Sequence, residues 1–187
     1  MSTLRVNNVQ EAGGSAVITS GIVDKGSLPT GSILQVVQSV KTDTFSASVA
    51  QGAVSTDAMT ATITPLYATS KILVTVSATA NADDTQATYL YLYRGGSASG
   101  YAGDTAGSRV RVAVSVQAGT DQAIGLTAAS WTYLDSPATT SATTYSVRLG
   151  HSFAGSKNVY LNRGQTDTDA NTIGRGASSI TLLEVAG

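Results

Sequence analysis

Hydrophobic and polar positions alternate residue by residue along much of this chain. The sharpest case is Thr88-Tyr89-Leu90-Tyr91-Leu92-Tyr93. Successive side chains of a strand point to opposite faces, so this segment has a leucine face and a tyrosine face. The same period of two recurs at 33–40, 59–64, 71–80, 87–94, 109–116, 130–134, 143–149, 157–162 and 178–185, with Gly, Ser, Asp and Asn between the segments. Helical periodicity is almost absent. About nine strands at this spacing predict an all-β sandwich or barrel.

The alternation also assigns faces. Ile72, Val74, Val76 and Ala78 share one side of their strand, against Leu73, Thr75, Ser77 and Thr79. Val110, Val112, Val114 and Val116 make an apolar face opposed by Arg109, Arg111, Ala113 and Ser115. Tyr145, Val147 and Leu149 oppose Ser146 and Arg148. Such strands are half-buried in a two-sheet packing, antiparallel because one face meets solvent. Residues 47–61 mix Ala and Val around Gly52 and are expected to form a loop or an irregular strand.

The first 31 residues read differently. Two short β-like pieces, 3–9 and 16–23, flank Gly13-Gly14 and are too few to make a core. The Gly26-Ser27-Leu28-Pro29-Thr30-Gly31-Ser32 stretch marks a boundary. The expected organisation is an extended arm, 1–31, and a β-sandwich head, 32–187.

Three tyrosines facing one way need an environment that is apolar yet offers hydrogen-bond partners. A subunit interface is the leading reading of Tyr89, Tyr91 and Tyr93. A receptor-binding surface is the second, and a cover of folded-over loop the third. Trp131 and Tyr133 are expected in the core, where large aromatics contribute much of the buried area, with carbohydrate stacking as the alternative.

Composition sharpens this picture. Charged residues are 12% of 187, about half the usual share of roughly 25%, and the net charge is −1. Electrostatic attraction to nucleic acid or anionic membrane is not expected, while self-association meets little repulsion. With no cysteine, disulfides and thiolate metal sites are excluded. No apolar run is long enough to cross a bilayer, and the first residues lack a signal-peptide centre. Synthesis in a cytoplasm is expected.

Motifs for chemistry are incomplete. Gly150-His151-Ser152-Phe153-Ala154 approximates a nucleophile elbow, but the residues after it read as strand, and the chain's one histidine is inside the motif. Asp167, Asp169 and Asn171 have the spacing that starts a calcium loop, but Thr172 and Ser178 replace its glycine and its bidentate glutamate. Asp83 and Asp84 sit in a turn-like segment. The Gly95–Gly103 stretch lacks the Lys-Ser/Thr of a phosphate cradle and reads as a binding loop. No catalytic residue, cofactor or metal is expected.

The chain resembles virion-surface and tail-fibre proteins of tailed bacteriophages, those of marine bacteria and cyanobacteria in particular. The resemblance lies in Met1–Gln10, Gly31–Asp43, Thr69–Val74, Leu134–Tyr145, Val159–Arg163 and Ala177–Val185, in that order and spacing. It implies a homotrimer with a jelly-roll-like head and an N-terminal anchor to other phage structural proteins. Leu4, Val6 and Val9 would supply the anchor's apolar contacts. The tyrosine stripe would face the three-fold axis. Loops 95–107 and 164–176, with Ser97, Tyr101, Asp104, Asp167, Asp169 and Asn171, would touch a host glycan or protein. The implied function is a short tail fibre or receptor-binding knob of the virion, acting without nucleic acid or membrane insertion. The shaftless chain also fits a capsid decoration protein. A polysaccharide-degrading enzyme is the third reading, weakened by scattered acidic residues.

Overall fold

A computed structural model describes residues 8–10, 13, 16–19, 22–23, 25–83, 87–117 and 123–187. Within residues 1–31, the expected arm, the described strands form a small antiparallel sheet of β1 (Asn8–Gln10), β2 (Ala16–Thr19) and β3 (Ile22–Val23). Of the strand expected at 3–9, only Asn8 and Val9 are described; that at 16–23 forms β2 and β3. Among the described residues no arm strand joins a sheet of the head. A 3-10 turn at Lys25–Ser27 leads into the head. There the Gly31 N–H donates to the Ala186 carbonyl, and the Ala186 N–H to the Ser32 carbonyl, both at 2.9 Å. The head's entry is thus pinned to its last strand.

The head strands are β4 (Ile33–Lys41), β5 (Phe45–Ala50), β6 (Met59–Ile63), β7 (Lys71–Ala82), β8 (Ala87–Arg94), β9 (Ser97–Ala98), β10 (Val114–Gln117), β11 (Thr127–Asp135), β12 (Thr143–His151), β13 (Ser156–Leu161) and β14 (Ser178–Val185). Five antiparallel pairings nest first with last: β4 with β14, β5 with β13, β6 with β12, β7 with β11 and β8 with β10. That nesting is one long hairpin. Three more pairings, β14 and β13 with β7 and β12 with β8, roll the hairpin on itself. The result is a five-stranded and a six-stranded sheet packed as an antiparallel sandwich with jelly-roll strand order.

The six-stranded sheet has an economy not visible in its strand count. Along one edge of β7, β13 pairs at Ala80–Ala82 and β14 continues at Lys71–Ser77. The two occupy one rail, from which residues 163–177 leave and return. β5 and β4 share the next rail in the same way.

The core lies between the sheets, as the alternation demands. Ile72, Val74, Val76 and Ala78 of β7 are fully buried against Leu90 and Leu92 of β8, Tyr145, Val147 and Leu149 of β12, and Ile180 and Leu182 of β14. Each such aliphatic side chain contributes roughly 1.5–3 kcal/mol on burial. Trp131 is buried with them, and Tyr133 packs at the margin.

Two expectations are corrected. The strand expected at 109–116 exists only from Val114, as β10. Before it the chain is folded into a loop: Arg111 Nε donates to the Gly103 carbonyl at 2.6 Å, and Gly103 N–H to the Val112 carbonyl at 3.2 Å. Val110 is accordingly 49% exposed. Of the loop or irregular strand expected at 47–61, the first residues belong to a regular strand, β5, where the weak strand formers Ser46, Ala47 and Ser48 are held by their ladder to β13. Gly52, at φ 77°, then turns the chain back.

Candidate functional site

The tyrosines lie on the outer face of the five-stranded sheet, half-buried, while Leu90 and Leu92 enter the core. Tyr89 stands opposite Ser115 and Gly150, Tyr91 opposite Arg148, and Tyr93 opposite Ser146 and Ala98. Much of their burial comes from the chain itself. A Cβ at Gly150 would lie 3.1 Å from Tyr91 Cε2 and 2.9 Å from the Ala53 carbonyl oxygen. The Tyr91 ring therefore packs directly on backbone, which is why β12 carries glycine there. The Arg148 guanidinium sits 4.1 Å from the centre of the Tyr93 ring, a cation–π contact.

Arg148 is held in turn by Asp57, whose Oδ1 accepts from Arg148 Nε at 2.6 Å and Ser146 Oγ at 2.7 Å. Burial works against the charged form of Asp57. The hydrogen bonds from Arg148 and Ser146 outweigh it and hold the carboxyl below the ordinary aspartate range. Burial, together with Tyr89 and Tyr93 beside it, pushes the Tyr91 phenol up to about 12. The Tyr91 hydroxyl at the centre of the stripe therefore stays protonated at any physiological pH.

The other predicted positions do not converge. The Gly95-Gly96 turn, with φ 55° and 81°, joins β8 to β9, which carries exposed Ser97. Tyr101 stacks on Tyr133, ring centres 5.2 Å apart, and Asp104 is exposed. This loop starts beside Arg94, which pairs with Asp135, opposite Ile72 in β7. The 163–177 excursion starts after Leu161, opposite Ala80. The start points of the two candidate receptor loops are thus separated by the length of β7 from Ile72 to Ala80, roughly 26 Å at the rise of a strand.

Within the excursion, Asp167 takes both oxygens to Arg175, at 3.0 and 2.8 Å, with Arg163 at 3.5 Å. Its carboxylate is neutralised by guanidinium, while Asp169 and Asn171 are exposed. The calcium-like spacing therefore builds an arginine clamp. Among the described residues no group of three His, Asp or Glu side chains is placed to hold a metal. A groove of about 350 Å³ runs along this loop beside Asp167, Asp169, Ile173 and Arg175. Of the anchor positions, Val9 lies in β1, whereas Leu4 and Val6 lie outside the described residues.

The candidate catalytic groups have structural roles. Buried His151 accepts from the Phe153 N–H at Nδ1 (3.1 Å), so its Nε2 carries the proton donated to the Val49 carbonyl (2.6 Å). No helix follows Ser152; a turn leads into β13. Asp83 accepts from Tyr160 Oη at 2.6 Å and from the Asn158 backbone and side chain; Asp84 lies outside the described residues.

A second surface was not singled out from the sequence. On the outer face of the six-stranded sheet, one row of opposed residues reads Val36, Leu183, Leu73, Leu134 across four strands. Val36 is 59% and Leu134 46% exposed. The next row reads Gln38, Thr181, Thr75, Thr132, with side-chain bonds Gln38–Thr181 (2.8 Å) and Thr75–Thr132 (3.3 Å). The available signal was the unbroken Ile72-Leu73-Val74 and Leu182-Leu183, apolar on both faces at one level.

A scan against protein-family models finds no match for this chain, and a search of the curated proteins finds none either.

Proposed function

We propose that this protein is a structural component of a bacteriophage virion, a short trimeric receptor-binding knob or tail fibre anchored by residues 1–31. The observation that carries the reading is the pair of outer sheet faces. One displays Tyr89, Tyr91 and Tyr93; the other displays the Val36–Leu134 row. A jelly roll with a packed apolar core and two outer faces rich in aromatic or aliphatic side chains is suited to binding: one face can meet sister copies and the other a ligand. The phage assignment itself rests on the sequence resemblance. Attachment would be by multivalency, many modest contacts on one particle adding to a firm one.

A capsid decoration role is the second reading. It is favoured by the short span between arm and head, since β4 begins six residues after the 3-10 turn closes at Ser27. Gold-labelled antibody on intact particles separates the two. Label at the tail supports the knob, label over the capsid faces supports decoration, and particles without label refute both. An enzyme reading would regain ground if the purified protein turned over host polysaccharide.

A further inference from the structure

Among the described residues, the large apolar side chains that are exposed concentrate in one place. Ile33, Val36, Val40 and Leu134 lie on the outer face of the six-stranded sheet, and Leu66 and Tyr67 flank its Ile33 end. We infer that this face, centred on the Val36–Leu183–Leu73–Leu134 row, is the surface on which a second copy of the chain docks. The inference rests on the self-associating reading above and assigns its contact to this face instead of the tyrosine stripe.

Three observations select a copy of the same chain as the occupant. First, neither of the two rows carries a charge, and the row beyond the polar one is Val40, Ser179, Ser77 and Ser130; on the other side, toward Ile33, exposed Lys71 stands opposite Val185 at the margin. The centre of such a face meets its own copy without opposed like charges and without stranding a charge in the contact, with Lys71 at the solvated rim. A charged partner finds only neutral side chains in the two central rows. Second, the polar row already satisfies itself through the Gln38–Thr181 and Thr75–Thr132 bonds. Covering it therefore strands fewer donors, the usual cost of burying a polar face.

Third, the size suits the centre of an interface between subunits. Four rails about 4.8 Å apart and some seven residues long make a footprint of roughly 20 by 24 Å, about 480 Å². That is more than half of the roughly 800 Å² each partner buries in a standard interface, and Leu66 and Tyr67 extend it at one end. The tyrosine face, by contrast, is already covered in part by Arg148, Asp57 and the Ala53 segment of its own chain. It has less need of a partner.

The test uses the full chain and measures mass in solution by light scattering at tens of micromolar. The double variant Val36→Lys/Leu134→Lys is compared with Tyr89→Lys. Both altered positions of the double variant are exposed, and circular dichroism checks that its fold is kept. The expected result is a multimeric parent, a double variant reduced to the mass of one chain, and a multimeric Tyr89→Lys. A multimeric double variant overturns this inference and leaves self-association standing. A parent of single-chain mass overturns both. A photo-crosslinking residue at Leu134 gives an independent readout that does not depend on the lysines. Adducts to the same face of another copy support the inference. Adducts to residues 1–24, to a foreign protein or to nothing overturn it.

Discussion

Asn162 Nδ2 donates to the backbone carbonyl of Lys41 at 2.8 Å, and to that of Asp43 at 3.0 Å. These carbonyls lie where β4 hands over to β5. Asn162 itself lies where β13 hands over to β14, so one amide closes the gap in both rails. Its Oδ1 accepts from Thr79 Oγ1 and Ser178 Oγ, and its N–H donates to the Thr79 carbonyl. The residue is fully buried at φ 63°, a left-handed conformation that asparagine tolerates better than most residues. The excursion that carries Asp167 and Arg175 is therefore mounted on a fixed base.

Replacing Asn162 by Asp should remove both donors and bury a carboxylate facing two carbonyls. A loss of about 2–4 kcal/mol is expected, from unpaired buried acceptors and an unpaired charge. Asn162→Gly keeps the backbone conformation but not the bonds, and should lose less. Urea unfolding at neutral pH checks the order. If Asn162→Gly is the worse of the two, the bonds that Oδ1 accepts from Thr79 and Ser178 outweigh the two that Nδ2 donates, and the argument from the donors is wrong.

Gly150→Ala tests whether the tyrosine stripe is held by its own sheet. The added methyl would meet the Ala53 carbonyl oxygen at 2.9 Å and Tyr91 Cε2 at 3.1 Å. Overpacking of this kind costs about 1–3 kcal/mol. Tyr91 would be displaced, so the near-ultraviolet dichroism of tyrosine should change with the stability. A silent substitution would mean that Tyr91 is free to move off the sheet.

Much of the fold was legible because period two leaves little choice of face. Ile72, Val74, Val76, Leu90, Leu92, Tyr145, Val147 and Leu149 are buried as the alternation requires. Strand β5 was missed because Phe45-Ser46-Ala47-Ser48-Val49 alternates with small residues, whose burial signal is weak until β13 supplies the ladder. β10 starts later than alternation predicts because Arg111 binds the Gly103 carbonyl, a tertiary bond that alternation does not encode. The Val36–Leu134 row needed register across four strands, and register is set by pairing, not by any one strand's pattern. Asp167 illustrates the same limit, since spacing alone does not reveal that Arg175 will claim its oxygens.

Asp135 and Tyr145 tie the two sheets together. Tyr145 Oη donates to Asp135 Oδ2 at 2.7 Å, and Arg94 Nη1 reaches both carboxylate oxygens at 2.8 and 2.7 Å. Burial, and then the bond to Asp135, push the Tyr145 phenol far above its ordinary value, so it stays a donor. Tyr145→Phe removes one bond to a charged group and should cost about 1.5–3 kcal/mol. Arg94→Met leaves the buried carboxylate with one partner fewer. In a double-mutant cycle the two losses should not add, because both act on one carboxylate. Additive losses would show that the two contacts are independent.

Glu184 sets an acid limit on the fold. It is fully buried, and it accepts from the Leu66 N–H at 2.7 Å, the Tyr67 N–H at 3.4 Å and the Gln35 side chain. These bonds hold the connection between β6 and β7 against the last strand. Burial disfavours the carboxylate, but the hydrogen bonds outweigh it and hold its pKa below the ordinary 4.5. A depressed pKa means that the unfolded chain takes up the proton first as the solution is acidified. The stabilisation is therefore fully present above about pH 4.5 and lost as pH falls toward the folded value. Asp57 acts in the same sense from 3.8. Glu184→Gln should lower stability at pH 7 by about 1–3 kcal/mol, through lost acceptor strength at buried N–H groups. The gap between variant and parent should then narrow as pH falls below 4.5. Urea midpoints measured from pH 7 to pH 3 for both proteins check this, and a gap that stays constant or widens in acid would show that Glu184 is not the titrating group.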